Sequence, residues 1–340
     1  MNRRDFIVRS SLLASAGLLA RSSLLAQSPA AQPAPPAAPA QRVPVATPAG
    51  PQSALVTEFR PLRRGVGIFT GRGGTIGWLS TKDALAVVDT QFPDTAAVCL
   101  AGLPDRGDRM IDVVLNTHHH ADHTSGNGVF KPAARTIVAQ ANVPKLMFAA
   151  AEQAMKLDKP AGPTVLDPSK LVYPDTTFTE VWRRDFGGEI VTAQYYGPAH
   201  TSGDAVIHFE KASVVHLGDL MFNRIYPVID RPAGASIRGW ITRLEEVVKT
   251  YPEDARYICG HGSRKFGIMT TRGELLVLRD YFTALLDYVQ KAIAAGKPKP
   301  EIVALENFPG FEDFHTPLPN RLGLNLSVAY DELTGDTQHT

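Results

Sequence analysis

From about residue 55 the chain alternates between short β-type runs bounded by glycines and longer stretches with helical spacing. Gly65–Gly71, Thr75–Thr81 and Ala84–Asp89 read as three successive strands joined by tight turns. Pro93–Leu103 reads as a helix with proline at its start. Met110–Asn116 holds a continuous apolar run that ends in a polar loop, and Thr136–Ala139 is a further short strand. Val143–Leu157 has helical spacing, with Leu146, Phe148, Ala150 and Met155 available for one face. Ala205–Phe209, Val214–Leu217 and Tyr257–Cys259 read as strands, and Ile237–Lys249 as an amphipathic helix. A long helix is expected from about Gly273 to Ala295, with Leu276, Phe282, Leu285, Leu286 and Val289 as core candidates. The remaining residues are broken by prolines. Strands first, then strands and helices mixed in both halves, predict two sheets with helices packed outside.

The 340 residues are 44% hydrophobic and 20% charged, with a formal net charge of +1. That apolar fraction supports a buried core and excludes a disordered chain. The balanced charge argues against a nucleic-acid partner, which would call for a basic excess. Two cysteines, Cys99 and Cys259, leave no room for a disulfide scaffold or an all-cysteine zinc site.

The N-terminus reads as an address rather than part of the fold. Arg3-Arg4-Asp5-Phe6-Ile7 resembles the twin-arginine signal of Tat export, followed by an apolar stretch from Leu12 to Ala20 that is short for a membrane span. We expect a signal peptide over residues 1–26, with Ala26 as a cleavage point, and a Pro/Ala-rich tether over 27–54. A hydrolase domain over 55–296 follows, and a C-terminal extension over 297–340 that is either packed on it or irregular. The expected location is periplasmic or secreted. The expected partners are the Tat export machinery and a small-molecule carbonyl substrate, with no stable membrane anchor after cleavage.

The chemistry concentrates behind the apolar strand that ends at Asn116. His118, His120, Asp122 and His123 form the run His-x-His-x-Asp-His. Three histidines and an aspartate at four set positions arise by chance in on the order of one chain in a thousand. A loop of solvated histidines is the bland alternative, and the intervening Asp122 at a strand end weighs against it. Residues two apart in an extended segment point the same way, so His118 and His120 can grip one ion. Asp122 and His123, after the chain bends, can face a second position beside it. His200, Asp219 and His261 follow, each at a junction of strand and loop. Each is weak alone; in this order the set is specific.

With these residues in hand, the chain resembles the metallo-β-lactamase superfamily over roughly residues 60 to 265. The resemblance rests on Asp89 at the end of an early strand, the His-x-His-x-Asp-His run, His200, Asp219 and His261. It implies an α/β fold, a four-layer αββα sandwich with metals in a cleft at one edge. It implies two zinc ions, with iron or manganese as other occupants. His118, His120 and His200 would hold the first ion, Asp122, His123 and His261 the second, and Asp219 would bridge them. The bridging Asp219 looks more like the glyoxalase II, lactonase and general hydrolase branches than like the β-lactamases.

The function expected is a zinc-dependent hydrolase in which a metal-bridging hydroxide attacks an ester, thioester or lactone carbonyl, with Asp122 orienting the nucleophile or passing on its proton. Three alternatives stay open: a β-lactamase, an iron-dependent oxygenase using a two-histidine, one-carboxylate set, and a metal-binding protein without turnover. Asp89 is expected to orient a ligand loop through hydrogen bonds. His119 should point away from its two neighbours. His208 and His216 read as packed strand residues, and Cys259 has no sign of reactivity. Arg264 and Lys265 are either an anion site or two solvated cations. Core packing is the default for Trp78, Trp182, Phe222, Tyr226 and Trp240. Specificity is expected in the loops Gly71–Gly74, Asp158–Pro174 and Met221–Ala235.

Overall fold

The computed structural model describes residues 56–156, 167–315 and 319–335. The signal-like segment, the tether, part of the Asp158–Pro174 loop and the last five residues lie outside the described residues. Two large sheets carry the fold. The first runs in sequence order through β1 (Glu58–Arg63), β2 (Val66–Thr70), β3 (Ile76–Ser80), β4 (Leu85–Val88), β5 (Val113–Leu115), β6 (Ile137–Gln140) and β7 (Thr176–Phe178). Its first four strands form an antiparallel meander, and β4 to β7 are parallel.

The second sheet is built on β8 (Val181–Asp185), β9 (Ile190–Tyr195), β10 (Ala205–Phe209) and β11 (Val214–His216), all antiparallel. After β12 (Phe222–Asn223), β13 (Arg256–Ile258) joins β11 in parallel. After β14 (His261–Gly262), β15 (Met269–Thr270) closes the edge. The two short strands β12 and β14 pair with each other and set Phe222 beside His261.

The side-chain alternation explains the layering. Within β5, Val113 and Leu115 face the second sheet, where they join Ile207, Phe209 and Val214; Val114 faces the other way. Within β10, Ile207 faces inward and Val206 outward. The central strands of both sheets are therefore buried on both faces, which demands helices outside each. Helix α1 (Pro93–Gly102) and the short α3 (Asn127–Phe130) cover the first sheet through Ala96, Cys99 and Phe130. Helices α5 (Ile237–Thr250) and α6 (Arg272–Ala294) cover the second through Trp240, Leu244, Leu278, Phe282 and Leu285. The result is the four-layer α/β sandwich.

Several local expectations shift. Helix α4 (Val143–Met155) buries Val143, Met147 and Ala151, while Phe148 and Met155 are exposed. The apolar residues of this segment fill several helix faces, and the face that meets β6 lies on the 143/147/151 row. In α6, Leu275 and Leu278 are fully buried, whereas Leu276 is only partly so. The proline-broken tail holds helices α7 (Lys299–Val303) and α8 (Arg321–Thr334), and α8 packs Leu322, Leu326 and Ala329 into the α5–α6 core. No helix among the described residues is long and apolar enough to cross a membrane.

Candidate metal centre

The parallel run of β4 and β5 ends in loops, and there the chemistry gathers. His118 and His119 follow β5 through a bend, and His120 is extended at φ −60°, ψ 146° just before helix α2 (Ala121–Thr124). That one turn of helix rotates Asp122 and His123 toward a neighbouring position. His200 precedes β10, Asp219 lies in the single 3₁₀ turn after β11, and His261 opens β14.

Three nitrogens converge first. His120 Nδ1 lies 3.1 Å from His118 Nε2 and 2.9 Å from His200 Nε2. Asp219 Oδ2 stands 3.8 Å and 3.6 Å from the latter two. Beside them is a second group. His261 Nε2 lies 3.1 Å from Asp122 Oδ2, and His123 Nε2 3.7 Å from the same oxygen. Asp219 reaches this group too, with Oδ1 at 3.1 Å from His123 Nε2 and Oδ2 at 3.4 Å from His261 Nε2. Donor atoms around a tetrahedral ion at 2.0–2.1 Å stand about 3.3 Å apart, so both spacings suit a divalent metal. The structure thus brings all seven sequence-selected residues together in two clusters, with Asp219 facing both.

The outer hydrogen bonds show which way each imidazole is turned. Thr117 Oγ1 donates to Asp89 Oδ2, so at 3.0 Å it accepts from His118 Nδ1–H. His120 Nε2–H donates to Asp230 Oδ2 at 2.8 Å, His200 Nδ1–H to the Val228 carbonyl at 2.9 Å, and His123 Nδ1–H to Asp89 Oδ2 at 2.7 Å. Each of these four rings thereby presents a lone pair inward. Lone pairs 3 Å apart cannot satisfy one another; they need a shared cation, a proton or a metal. Buried His123 Nε2 and Asp219 Oδ1 face each other at 3.1 Å and have no other hydrogen-bond partner. The donor set and these two atoms fit divalent metal ions.

Backbone close to the centre leaves no slack. A Cβ on Gly74 would stand 2.1 Å from His123 Cε1, and one on Gly260 would stand 1.9 Å from Asp219 Oδ1. Behind the clusters, Phe222 stacks on His261 with a 5.4 Å centroid separation, and Trp240 packs 5.4 Å from His200. Trp240 Nε1 donates to the Leu220 carbonyl, tying helix α5 to the Asp219 turn. These aromatics are core and the back wall of the centre at once.

The other candidates sort themselves by partner. Asp89 accepts from Thr117 and His123 and so orients the ligand loop, as expected. His216 is buried; its Nδ1 accepts from Gly218 N–H and its Nε2 donates to the Thr75 carbonyl, which shapes the turn carrying Asp219. His119 belongs to neither cluster around Asp219; its Nε2 lies 3.6 Å from Asp230. Burial pushes both cysteine thiols far up, in keeping with inert Cys99 and Cys259. Lys265 is paired with Asp313 at 2.6 Å, and Arg264 is exposed. Asp230 was not legible in the sequence. It lies in a loop without a motif, and only the fold brings it to His120.

Without metal the charges divide the histidines. Burial opposes protonation of His261, but Asp219 and Asp122 overcome it and lift the imidazole to about 10; His123 is likewise raised against burial by Asp219, Asp122 and Asp89, and His120 against burial by Asp230. Burial and neighbouring imidazoles push His118 down, His200 to about 4 and His119 to about 3. The three raised imidazoles add stability that is complete below the unfolded value of 6.5 and lost as pH climbs toward 10. The lowered group adds stability that is lost as pH falls from 6.5 toward 4. Asp204, lifted by burial to about 7, opposes the acid-side loss as one carboxyl against five lowered imidazoles, those of His208 and His216 included. The melting temperature of chelator-treated protein should therefore peak near pH 6.5 and fall on both sides. A melting temperature that rises steadily from pH 6.5 to 10 would contradict this charge assignment.

Fold and site together define a four-layer α/β protein with two histidine–aspartate clusters around Asp219, candidates for divalent metal, and a third grouping of His119, His120 and Asp230 beside the first. The family described as the metallo-beta-lactamase superfamily matches residues 69–261, and the chain belongs to that superfamily. No curated protein matches the chain. Among solved structures it is similar to a metallo-beta-lactamase from Pontibacter korlensis, 17% identical with a TM-score of 0.52, over 67% of this chain and 99% of that one. A metallo beta lactamase from Hirschia baltica is likewise 17% identical with a TM-score of 0.52, over 67% and 97%. The stereoselective inverting sec-alkylsulfatase Pisa1 from Pseudomonas sp. is 17% identical with a TM-score of 0.61, over 83% of this chain and 51% of that one. The chain spans about half the length of that sulfatase. At such identities the likeness carries the fold.

Proposed function

We propose that the chain is a binuclear zinc hydrolase acting on a carbonyl substrate, an ester, thioester or lactone. The observation that carries this reading is the sharing of Asp219 between two clusters whose imidazoles are turned inward by their outer hydrogen bonds. In it, His118, His120 and His200 would hold one divalent ion, Asp122, His123 and His261 a second, with Asp219 available to both. Such ions would supply Lewis acidity and lower the pKa of a bound water from 15.7 to about 7.

The protein's own groups do the rest. The Asp122 side chain is 28% exposed, so it reaches the mouth of the centre while one oxygen faces His261. Burial works to raise the Asp122 carboxyl, but His123 and His261 hold it well below the usual range and keep it ionised. It can therefore accept a hydrogen bond from the attacking water and align it. The buried rings of Phe222 and Trp240 keep water from the back of the centre, where low polarity strengthens each charge interaction.

The test is a panel of a nitrophenyl ester, an acyl thioester, a lactone, a chromogenic cephalosporin and a secondary alkyl sulfate, the last prompted by the sulfatase likeness. A chelator-sensitive kcat/KM above about 10⁴ M⁻¹s⁻¹ on one of the first three is the expected result. Exclusive turnover of the cephalosporin or the sulfate would replace the substrate class. Zinc-loaded protein inert toward all five would overturn the hydrolase reading.

A further inference from the structure

Asp230 stands outside every motif in the chain, in the loop between β12 and α5. Its two carboxylate oxygens have different work. Oδ1 accepts from Ala233 N–H at 3.2 Å and caps the turn Arg231–Ala233. Oδ2 accepts from His120 Nε2–H at the shorter distance of 2.8 Å and also faces His119 Nε2 at 3.6 Å. The loop itself is anchored from both sides. Arg231 Nη1 donates to the Ala235 carbonyl and reaches Glu332 of α8, and the same Glu332 accepts from Ile237 and Arg238 N–H at the start of α5. The carboxylate is thus held rigidly against one ring nitrogen of one cluster residue.

His120 differs from its companions in a way that makes this contact matter. It alone in the first cluster turns Nδ1 inward, where His118 and His200 turn Nε2. An imidazole carries its proton on either nitrogen, and only the Nε2–H tautomer leaves Nδ1 free to bind a cation. A carboxylate on Nε2–H selects that tautomer, fixes the ring plane and raises the basicity of the opposite nitrogen. His123 in the second cluster has the same service from Asp89, so each cluster has one carboxylate-backed histidine.

We propose that Asp230 is a positioning residue for the first ion position, setting its metal affinity through the tautomer of His120 while leaving the second position alone. This inference rests on the metal-centre reading above. Asparagine at 230 separates it from the capping role. Its single carbonyl oxygen can serve Ala233 or His120 but not both, and an amide N–H aimed at His120 would drive the proton to Nδ1.

The test is zinc affinity of the full chain, read by competition with a chromophoric chelator in two backgrounds. His261→Ala weakens the second position, and there Asp230→Asn should weaken zinc binding about 10–100-fold. His200→Ala weakens the first position, and there Asp230→Asn should shift binding by less than about threefold. A shift of under threefold in the His261→Ala background, or equal shifts in both, overturns the proposal. Should Asp230→Asn fail to fold, the ring-nitrogen spectrum of zinc-loaded wild-type protein decides: His120 must show a protonated Nε2 and a coordinated Nδ1, and the reverse overturns it. Failure of the wild-type chain to bind zinc would instead sink the metal-centre reading itself.

Discussion

Replacing Asp219 by Asn should lower hydrolysis by about 10³-fold or more, the effect of losing roughly 4 kcal/mol of charge stabilisation in the transition state. No other side chain of the centre faces both clusters: its oxygens stand 3.1–3.8 Å from imidazoles of both. Asparagine keeps the shape and removes the charge. The metal-free protein offers a second readout. Against burial, Asp219 is the largest influence lifting His261 to about 10, so the variant should lose much of the alkaline fall in melting temperature. A variant with near wild-type turnover would show that the shared carboxylate is incidental.

Stripping the metal should cost about ten degrees of melting temperature, regained on adding zinc. A ligand at a thousand times its dissociation constant stabilises the folded state by about 4 kcal/mol, and a chain of this size gains about 2–4 °C per kcal/mol. The structure says why the dependence should be this strong. Three buried imidazoles and the half-buried His120 bring ring nitrogens and the Asp219 oxygens within 2.9–3.8 Å of one another, a crowding of donor atoms that a metal ion relieves. Differential scanning calorimetry with and without chelator measures it. An unchanged melting temperature would mean that the clusters are satisfied by protons alone.

The parts of the fold legible in the sequence are those whose cause is local. The apolar run ending at Leu115 signals a strand, which forms over Val113–Leu115, and His118 to His123 declares itself because its members sit within six positions. His200, Asp219 and His261 were legible only as an ordered set at strand ends, since each alone looks like a packing residue. What stayed hidden was set by distant partners. The β8–β9 hairpin carries Arg183 and Arg184 on an exposed edge, so it lacks an apolar signature. Helix α4 offered several apolar faces, and contact with β6 chose among them. Helix α8 follows a proline-rich stretch and is defined by packing on α6 rather than by a strong start signal. Gly74 and Gly260 are required by ring and carboxylate atoms 49 and 41 residues away in the chain, and Asp230 reaches a histidine 110 residues away. None of these separations leaves a mark on the local sequence.

The most direct test of the account is turnover of the best carbonyl substrate measured while zinc is titrated into metal-free protein. Activity should be negligible without zinc and should rise to its plateau only as the second ion per chain is bound, because the two clusters act through one shared Asp219. Full activity at one ion per chain, or activity that survives complete chelation, would contradict it.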